Sequence, residues 1–308
     1  MIDVLIIGAG PAGLSAAIYV ERAGKSAVCL EALTVGGQIV NTPEIENYPG
    51  IKKTSGFEFS MALYEQSTGL GAEIVYEKAV NIEENPSADV DKNKTYKVTT
   101  ESGKTFEARS VIIATGAKNR HLGISREEEL LGKGISYCAT CDGAFFKGKD
   151  VAVNGGGNTA LEDALFLSNY CNKVYIIHRR DQFRGEPKNL EALKDKDNIE
   201  YVLDSTVVEL RGDKALESVM VKNKKTEEVK EIPVSGLFIA IGQEPDNKDF
   251  SDFVSLDEKG YIISDESCTI NKSGIFVAGD CRTKKVRQLT TAASDGAVAA
   301  LAACEYLG

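Results

Sequence analysis

The chain has no excess of positive charge. Its 36 Lys and Arg face 46 Asp and Glu, a formal net charge of −10 with only two histidines. A nucleic-acid-binding face needs clustered Lys and Arg to neutralise phosphates, so that class is disfavoured. The opening Met1-Ile2-Asp3-Val4-Leu5-Ile6-Ile7-Gly8 lacks the basic leading region of a secretory signal, and its apolar run breaks into glycines too early. No apolar stretch approaches the roughly 20 residues that a membrane helix needs. A cytoplasmic protein is the expectation. The seven cysteines are an odd number, and positions 29, 171, 268, 281 and 304 stand singly. That is a poor disulfide framework, and the single thiols read as buried and inert. There is no second CxxC and no HxxxH to complete a zinc site.

What is present is one cysteine pair of meaningful spacing, Cys138-Ala139-Thr140-Cys141-Asp142, shortly before a glycine-rich loop in a chain that opens with another. The pair can close a small disulfide, hold half a metal site or carry electrons. With 308 residues, 43% of them hydrophobic, the chain can build two domains with packed cores.

The first unit reads as a buried strand at Val4–Ile7, the glycine loop Gly8-Ala9-Gly10-Pro11-Ala12-Gly13, a helix over 14–23, a strand over 27–30 and Glu31 at its end. Residues 34–56 read as loop and 57–70 as helix. Strands follow at 73–81, 95–101 and 104–108, with a polar hairpin tip at 85–93 and another buried strand over 110–116. The plan then restarts. A strand at 150–154 leads into a second glycine loop and a helix over 161–169, with the next strand at 174–177. Hairpin-like strands are expected over 198–231, apolar strands over 236–242 and 274–280, and a final helix over 294–307.

A glycine loop at a helix N-terminus suits a pyrophosphate: free backbone N–H groups and the positive end of the helix dipole face the anion, and missing side chains let it approach. Glu31 can accept hydrogen bonds from ribose hydroxyls and repels a 2′-phosphate, so the first loop suits the ADP moiety of FAD or NAD. The second loop has Gly155, Gly157 and Ala160 in the GxGxxA form. His178, Arg179 and Arg180 replace the acid at the matching strand end, with Arg184 following. Guanidinium groups pair bidentately with phosphate, which favours NADPH there; a solvated arginine cluster is the plainer alternative. The first unit is interrupted by the second and resumes near residue 274. That favours the longer cofactor, FAD, for the first.

Together these motifs resemble the low-molecular-weight thioredoxin reductases of the two-dinucleotide-binding flavoproteins. The resemblance rests on the first loop with Glu31, Gly36-Gly37-Gln38, Ala114-Thr115-Gly116, the CATCDG segment, Gly155 to Ala160, the run from His178 to Arg184, Gly279-Asp280 and Arg287-Gln288. It spans essentially the whole chain. In the related glutathione-reductase group the redox pair lies early, inside the FAD domain. The resemblance implies an α/β protein of two Rossmann-like, three-layer ββα domains. An FAD domain of residues 1–117 and 245–308 would enclose an inserted NADPH domain of residues 118–244. It implies a homodimer with thioredoxin as substrate. It places Gly36, Gly37, Gln38 and Asn47 near the flavin, Asp280 at its ribityl or phosphate region, Arg287 and Gln288 near the ring, and Asn158 and Thr159 at NADPH. It also assigns Cys141 to the flavin side, Cys138 to attack on the partner disulfide, and Asp142 to proton transfer with its pKa raised by burial. Nicotinamide and dithiol would meet one flavin by turns, through rotation about hinges near 116–119 and 242–247. A reductase of another thiol carrier, such as a peroxide-reducing system, is the alternative, with a ferredoxin–NADP reductase-like diaphorase behind it; the diaphorases lack a CxxC.

Overall fold

The computed structural model describes residues 1–42, 44–85 and 94–308. The expected hairpin tip lies, beyond Asn85, outside the described residues. Among them no helix is long and apolar enough to cross a membrane. The chain forms two compact units, Met1–Lys118 with Glu244–Gly308, and Asn119–Gln243.

Unit 1 begins with β1 (Ile2–Ile7), α1 (Pro11–Arg22) and β2 (Ala27–Glu31). It continues with α2 (Gly56–Leu70), β3 (Glu73–Tyr76), β4 (Ala79–Asn85), β5 (Thr95–Thr100) and β6 (Thr105–Ile113), after which β7 (Ala117–Asn119) carries the chain into unit 2. β1 carries an unbroken buried apolar run, Val4 to Ile7, as a strand covered on both faces requires. The sheet order is β3-β2-β1-β6-β5-β4. The expected strands at 104–108 and 110–116 are one strand, β6, which pairs with β1 along one edge and with two partners in turn along the other. Its first half pairs antiparallel with β5 and its last residues pair parallel with β17 (Ile275–Val277), which returns from the end of the chain. The expected strand at 73–81 is two strands, broken at Glu77-Lys78. The last helix, α6 (Leu289–Leu307), starts five residues ahead of the expected 294 and packs on α1. Small residues permit this: a Cβ on Gly296 would stand 2.1 Å from the Ala12 carbonyl oxygen.

Unit 2 holds β8 (Ile135–Ser136), α3 (Ala139–Asp142), β9 (Asp150–Gly155), α4 (Asn158–Ser168), β10 (Lys173–Ile177), α5 (Pro187–Lys194) and β11 (Ile199–Val202). β12 (Ser205–Arg211), β13 (Ser218–Asn223), β14 (Val229–Pro233) and β15 (Gly236–Ala240) follow. Its main sheet is parallel, ordered β11-β10-β9-β15-β8, with an antiparallel β12-β13-β14 sheet beside it. β11 therefore belongs to the parallel sheet, not to the expected hairpins. Its partner is β10, because the α5 crossover delivers it to that edge. The two core clusters of this unit bury β9, β10 and β15 from opposite faces, one with α4 and one with the antiparallel sheet. The chain returns to unit 1 through β16 (Gln243–Pro245), which pairs with β7.

Candidate active site

The first glycine loop joins β1 to α1. Gly8 has φ +106°, and a Cβ there would lie 2.3 Å from the Ala114 carbonyl oxygen; a Cβ on Gly13 would lie 1.9 Å from the Gly8 carbonyl oxygen. Only glycine lets the turn and the helix close to this extent. Gly10 starts α1 with no side-chain cap, and Pro11 occupies the first helical position, so the helix mouth is left for an outside acceptor. Glu31 closes the unit from the end of β2. Its Oε2 accepts the Ala9 N–H at 2.8 Å and its Oε1 accepts the Leu33 N–H at 2.9 Å, which fixes the carboxylate beside the loop. Gly36 and Gly37 have φ of +99° and +62°, and the Gly36 N–H donates to the Ala9 carbonyl. Gln38 next to them is exposed.

The returning segment contributes a second wall. Gly279 and Asp280 follow β17 in a short 3-10 turn. Asp280 Oδ1 is buried without a hydrogen-bond partner, and burial raises its pKa against the opposing pull of Lys284 and Arg287. A buried lone acceptor is costly unless something donates to it. Arg287 donates to the carbonyls of Asp280, Lys284 and Arg282, and its guanidinium lies 4.1 Å from the Tyr261 ring centroid. Gln288 caps α6, and its Oε1 accepts from Asn47 Nδ2 at 3.4 Å. Ala114, Thr115 and Gly116 follow β6 on the same unit, with the Thr115 hydroxyl donating to Asn247 Oδ1 at 2.9 Å. The glycine cradle, the uncapped helix mouth and the unpaired Asp280 oxygen fit an extended dinucleotide.

The second loop joins β9 to α4. A Cβ on Gly155 would lie 2.3 Å from the Ala240 carbonyl oxygen. Gly157 starts α4 without a side-chain cap, and Asn158 and Thr159 form its first turn. Asn158 Oδ1 accepts the Glu186 N–H at 2.6 Å. Arg179, Arg180 and Arg184 are exposed, and the Arg184 N–H donates to the Gly156 carbonyl. His178 stands apart from them. It is buried behind the loop, stacks on Phe183 with ring centroids 5.2 Å apart, and shares a hydrogen bond with the Gln182 carbonyl. Burial lowers its pKa, and the arginines add to that. The glycine between the two motif glycines is explained by this ring: a Cβ on Gly156 would meet it at 2.2 Å.

Cys138 and Cys141 form a disulfide with Cα atoms 5.3 Å apart. Cys138 caps α3, and both cysteine residues are half-buried. The Ser136 hydroxyl accepts the Cys138 N–H at 3.0 Å. Asp142 follows with Oδ1 buried and unpartnered. Burial raises its pKa, and a bond from Ser136 opposes the rise. A carboxyl whose pKa is raised beside a disulfide is suited to proton transfer in thiolate chemistry. Gly143 packs α3 onto the last turn of α4, where a Cβ would lie 3.0 Å from Leu167 and from Phe166.

The structure thus groups the first-loop residues with Glu31, Asp280, Arg287, Gln288 and Asn47 on unit 1. It groups the second loop, the arginines and the dithiol on unit 2. Sequence reading missed Asn247, whose amide also donates to the carbonyls of Gly260 and Cys281. It missed Arg282 and Asp295 as well, both buried beside the Asp280 turn. Their partners are distant in sequence; the presence of charge inside an apolar strand-to-helix stretch is the one local signal.

Comparison with known proteins agrees with this layout. The family model for pyridine nucleotide-disulphide oxidoreductases matches residues 2–296. The chain is similar to a thioredoxin reductase of Helicobacter pylori strain J99, at 45% identity over all of this chain and 99% of that one. It is 40% identical to a thioredoxin reductase of Bacillus subtilis strain 168 over 99% of this chain and 94% of that protein. Among solved structures, a thioredoxin reductase from Streptococcus pyogenes matches with a TM-score of 0.91 and 40% identity, covering 100% of this chain and 98% of that one.

Proposed function

We propose, for a chain that belongs to the pyridine nucleotide-disulphide oxidoreductase family, the NADPH-dependent reduction of thioredoxin disulfide through FAD and the Cys138–Cys141 pair. The observation that carries this reading is a disulfide on α3, followed by Asp142 with a buried Oδ1 that lacks a hydrogen-bond partner, on the unit that also holds the arginine-flanked nucleotide loop. Unit 1 (the expected FAD domain) would hold the flavin nucleotide. Gly8, Gly10, Pro11, Ala12 and Gly13 would face its pyrophosphate, Glu31 its ribose, and Asp280 its ribityl or phosphate region. Gly36, Gly37, Gln38, Asn47, Ala114, Thr115, Gly116, Arg287 and Gln288 would line the ring end. On unit 2, Gly155, Gly157, Asn158 and Thr159 would take the pyrophosphate of NADPH, and Arg179, Arg180 and Arg184 its 2′-phosphate. His178 supports that loop from behind.

FAD, when bound, supplies two-electron transfer between nicotinamide and dithiol. The remaining chemistry is the protein's. Two electrons open the Cys138–Cys141 bond. The Cys138 thiolate attacks one sulfur of thioredoxin's disulfide, forming a mixed disulfide and expelling the other sulfur as thiolate. The Cys141 thiolate then attacks Cys138, which re-forms the internal disulfide and releases the second thioredoxin sulfur. Asp142 delivers a proton to a leaving thiolate. In sum NADPH, one further proton and the disulfide give NADP⁺ and two thiols.

The test is to follow NADPH oxidation coupled to thioredoxin, and to repeat it with NADH and with Cys138→Ser and Cys141→Ser. Each serine variant is expected to lose thioredoxin reduction while still binding flavin. Undiminished activity in either would sink the reading. The resemblance also supports a cytoplasmic homodimer; sedimentation equilibrium should then give twice the chain mass of 33.2 kDa.

A further inference from the structure

We propose that Asp295 is a positioning residue: held by Arg282 and Lys284, its carboxylate fixes the turn that presents Asp280 to the dinucleotide of unit 1. The proposal rests on the reading of unit 1 as the flavin site. Asp295 lies on α6 and is 5% exposed; Arg282 is fully buried. Asp295 Oδ2 accepts from the Gly279 N–H at 3.0 Å, from Arg282 Nε at 2.8 Å and from Lys284 Nζ at 2.8 Å, and Oδ1 accepts from Arg282 Nη2 at 2.9 Å. All these donors belong to the segment that starts at Gly279, so one carboxylate grips the Asp280 turn at its first residue and again just beyond it.

The grip has a direction. The turn touches α1: a Cβ on Gly279, whose φ is +80°, would lie 2.8 Å from Ala12 Cβ. Gly296, the neighbour of Asp295, lies against the Ala12 carbonyl and the Ala16 nitrogen. Asp295 therefore holds Asp280 at a set distance from the helix mouth that faces the pyrophosphate. Arg287 stiffens the far side of the same turn through three carbonyls. Stability alone explains the arrangement poorly. Charges taken out of water lose hydration, and apolar replacements of such clusters often fold as well or better. A buried charge cluster whose acceptor reaches a backbone N–H next to an unpaired Asp280 oxygen has instead the form of a device for orientation.

The experiment uses the holoenzyme and the variant Arg282→Met/Lys284→Met/Asp295→Leu, which removes all three charges. FAD dissociation is read from free-flavin fluorescence on dilution. NADPH binding and cooperative melting report on the rest of the fold. The variant is expected to melt cooperatively and bind NADPH as the parent does, while its FAD dissociation constant rises about tenfold or more, as when groups that orient metal ligands are removed. An unchanged FAD dissociation constant overturns the inference. If the triple variant does not fold, Arg282→Lys and Lys284→Met decide in its place: weaker FAD binding supports the grip, and unchanged binding in both overturns it. A parent protein that holds no flavin overturns the reading of unit 1, and the inference falls with it. A parent and a variant that hold it equally overturn the inference alone.

Discussion

At the scale of single residues, Asp142 and the exposed arginines make the sharpest claims. Burial raises the Asp142 pKa, so the folded protein favours the neutral acid. A group raised in this way adds stability below its unfolded pKa, and that contribution is lost as pH rises through the folded value. Asp142→Asn mimics the neutral acid at every pH. Its melting temperature should therefore match the parent near pH 4 and exceed it near pH 8, while turnover falls about 100-fold or more, the usual range for a lost proton donor. Melting curves at the two pH values check the first part, and a variant no more stable at pH 8 would remove the burial argument. Arg179, Arg180 and Arg184 have no carboxylate partner among the described residues. An unpaired guanidinium is free to take a 2′-phosphate. Charge-assisted hydrogen bonds contribute about 1.5–3 kcal/mol, so Arg179→Ala or Arg180→Ala should raise the NADPH KM by roughly 10- to 100-fold and leave the NADH KM unchanged. Steady-state kinetics with both coenzymes decides it: an unchanged NADPH KM would make the cluster a mere solvated surface, and an equal loss with NADH would remove the 2′-phosphate from the reading.

At the scale of elements, the second loop shows how a glycine can be required by what lies behind it. Gly156 faces the His178 ring, whose Nε2 is tied to the Gln182 carbonyl and whose face stacks on Phe183. Gly156→Ala must push that ring away and drag the loop with it. NADPH binding should weaken about tenfold, in line with the 1–3 kcal/mol of an overpacked contact, and FAD on unit 1 should be untouched. Isothermal titration with NADP⁺ and the flavin-to-protein absorbance ratio separate the two effects. The motif glycines, Glu31 and the CxxC were legible in the sequence because each is set by neighbours a few residues away or by one strand–turn–helix unit. Elements whose identity depends on remote partners were not. β6 looks like two strands because its pattern changes where the partner changes from β5 to β17. β11 looks like half a hairpin because its β10 partner lies across a helix. Asn247, Arg282 and Asp295 carry no motif at all; their meaning comes from a threonine, a turn and a helix brought together by the fold.

At the scale of the whole molecule, the question is how unit 2 brings both an electron donor, the nicotinamide, and an electron acceptor, the disulfide, to one flavin. Its nucleotide loop sits at the N-terminus of α4, while Gly143, just after the dithiol helix, sits on the last turn of α4. Helices rise about 1.5 Å per residue, so the stretch from Asn158 to Leu167 separates the two by roughly 13 Å. Reacting atoms must come within about 3.5 Å of each other. The nucleotide loop and the dithiol thus lie toward opposite ends of α4, which supports the proposal that nicotinamide and dithiol meet the flavin by turns, with unit 2 moving between two arrangements. The crossovers suit such a movement. Gly116 and Gly242 have φ of +71° and +101°, and a Cβ on either would meet nothing within 4 Å. Each side of the crossover has its own tie: Thr115 bonds Asn247 within unit 1, and Gln243 bonds Asn119 within unit 2. Rotation can then be absorbed by a few residues between two firm ends, as in other hinge motions. A crosslink that fixes unit 2 to unit 1 should leave one half-reaction and abolish steady turnover. Locked one way, NADPH still bleaches the flavin absorbance but thioredoxin is not reduced. Locked the other way, chemically reduced enzyme still exchanges electrons between flavin and dithiol but NADPH does not bleach it. Reductive cleavage of the crosslink should restore both. Stopped-flow absorbance on fully crosslinked protein reads each half-reaction separately, and unimpaired turnover in that sample would rule out the swing.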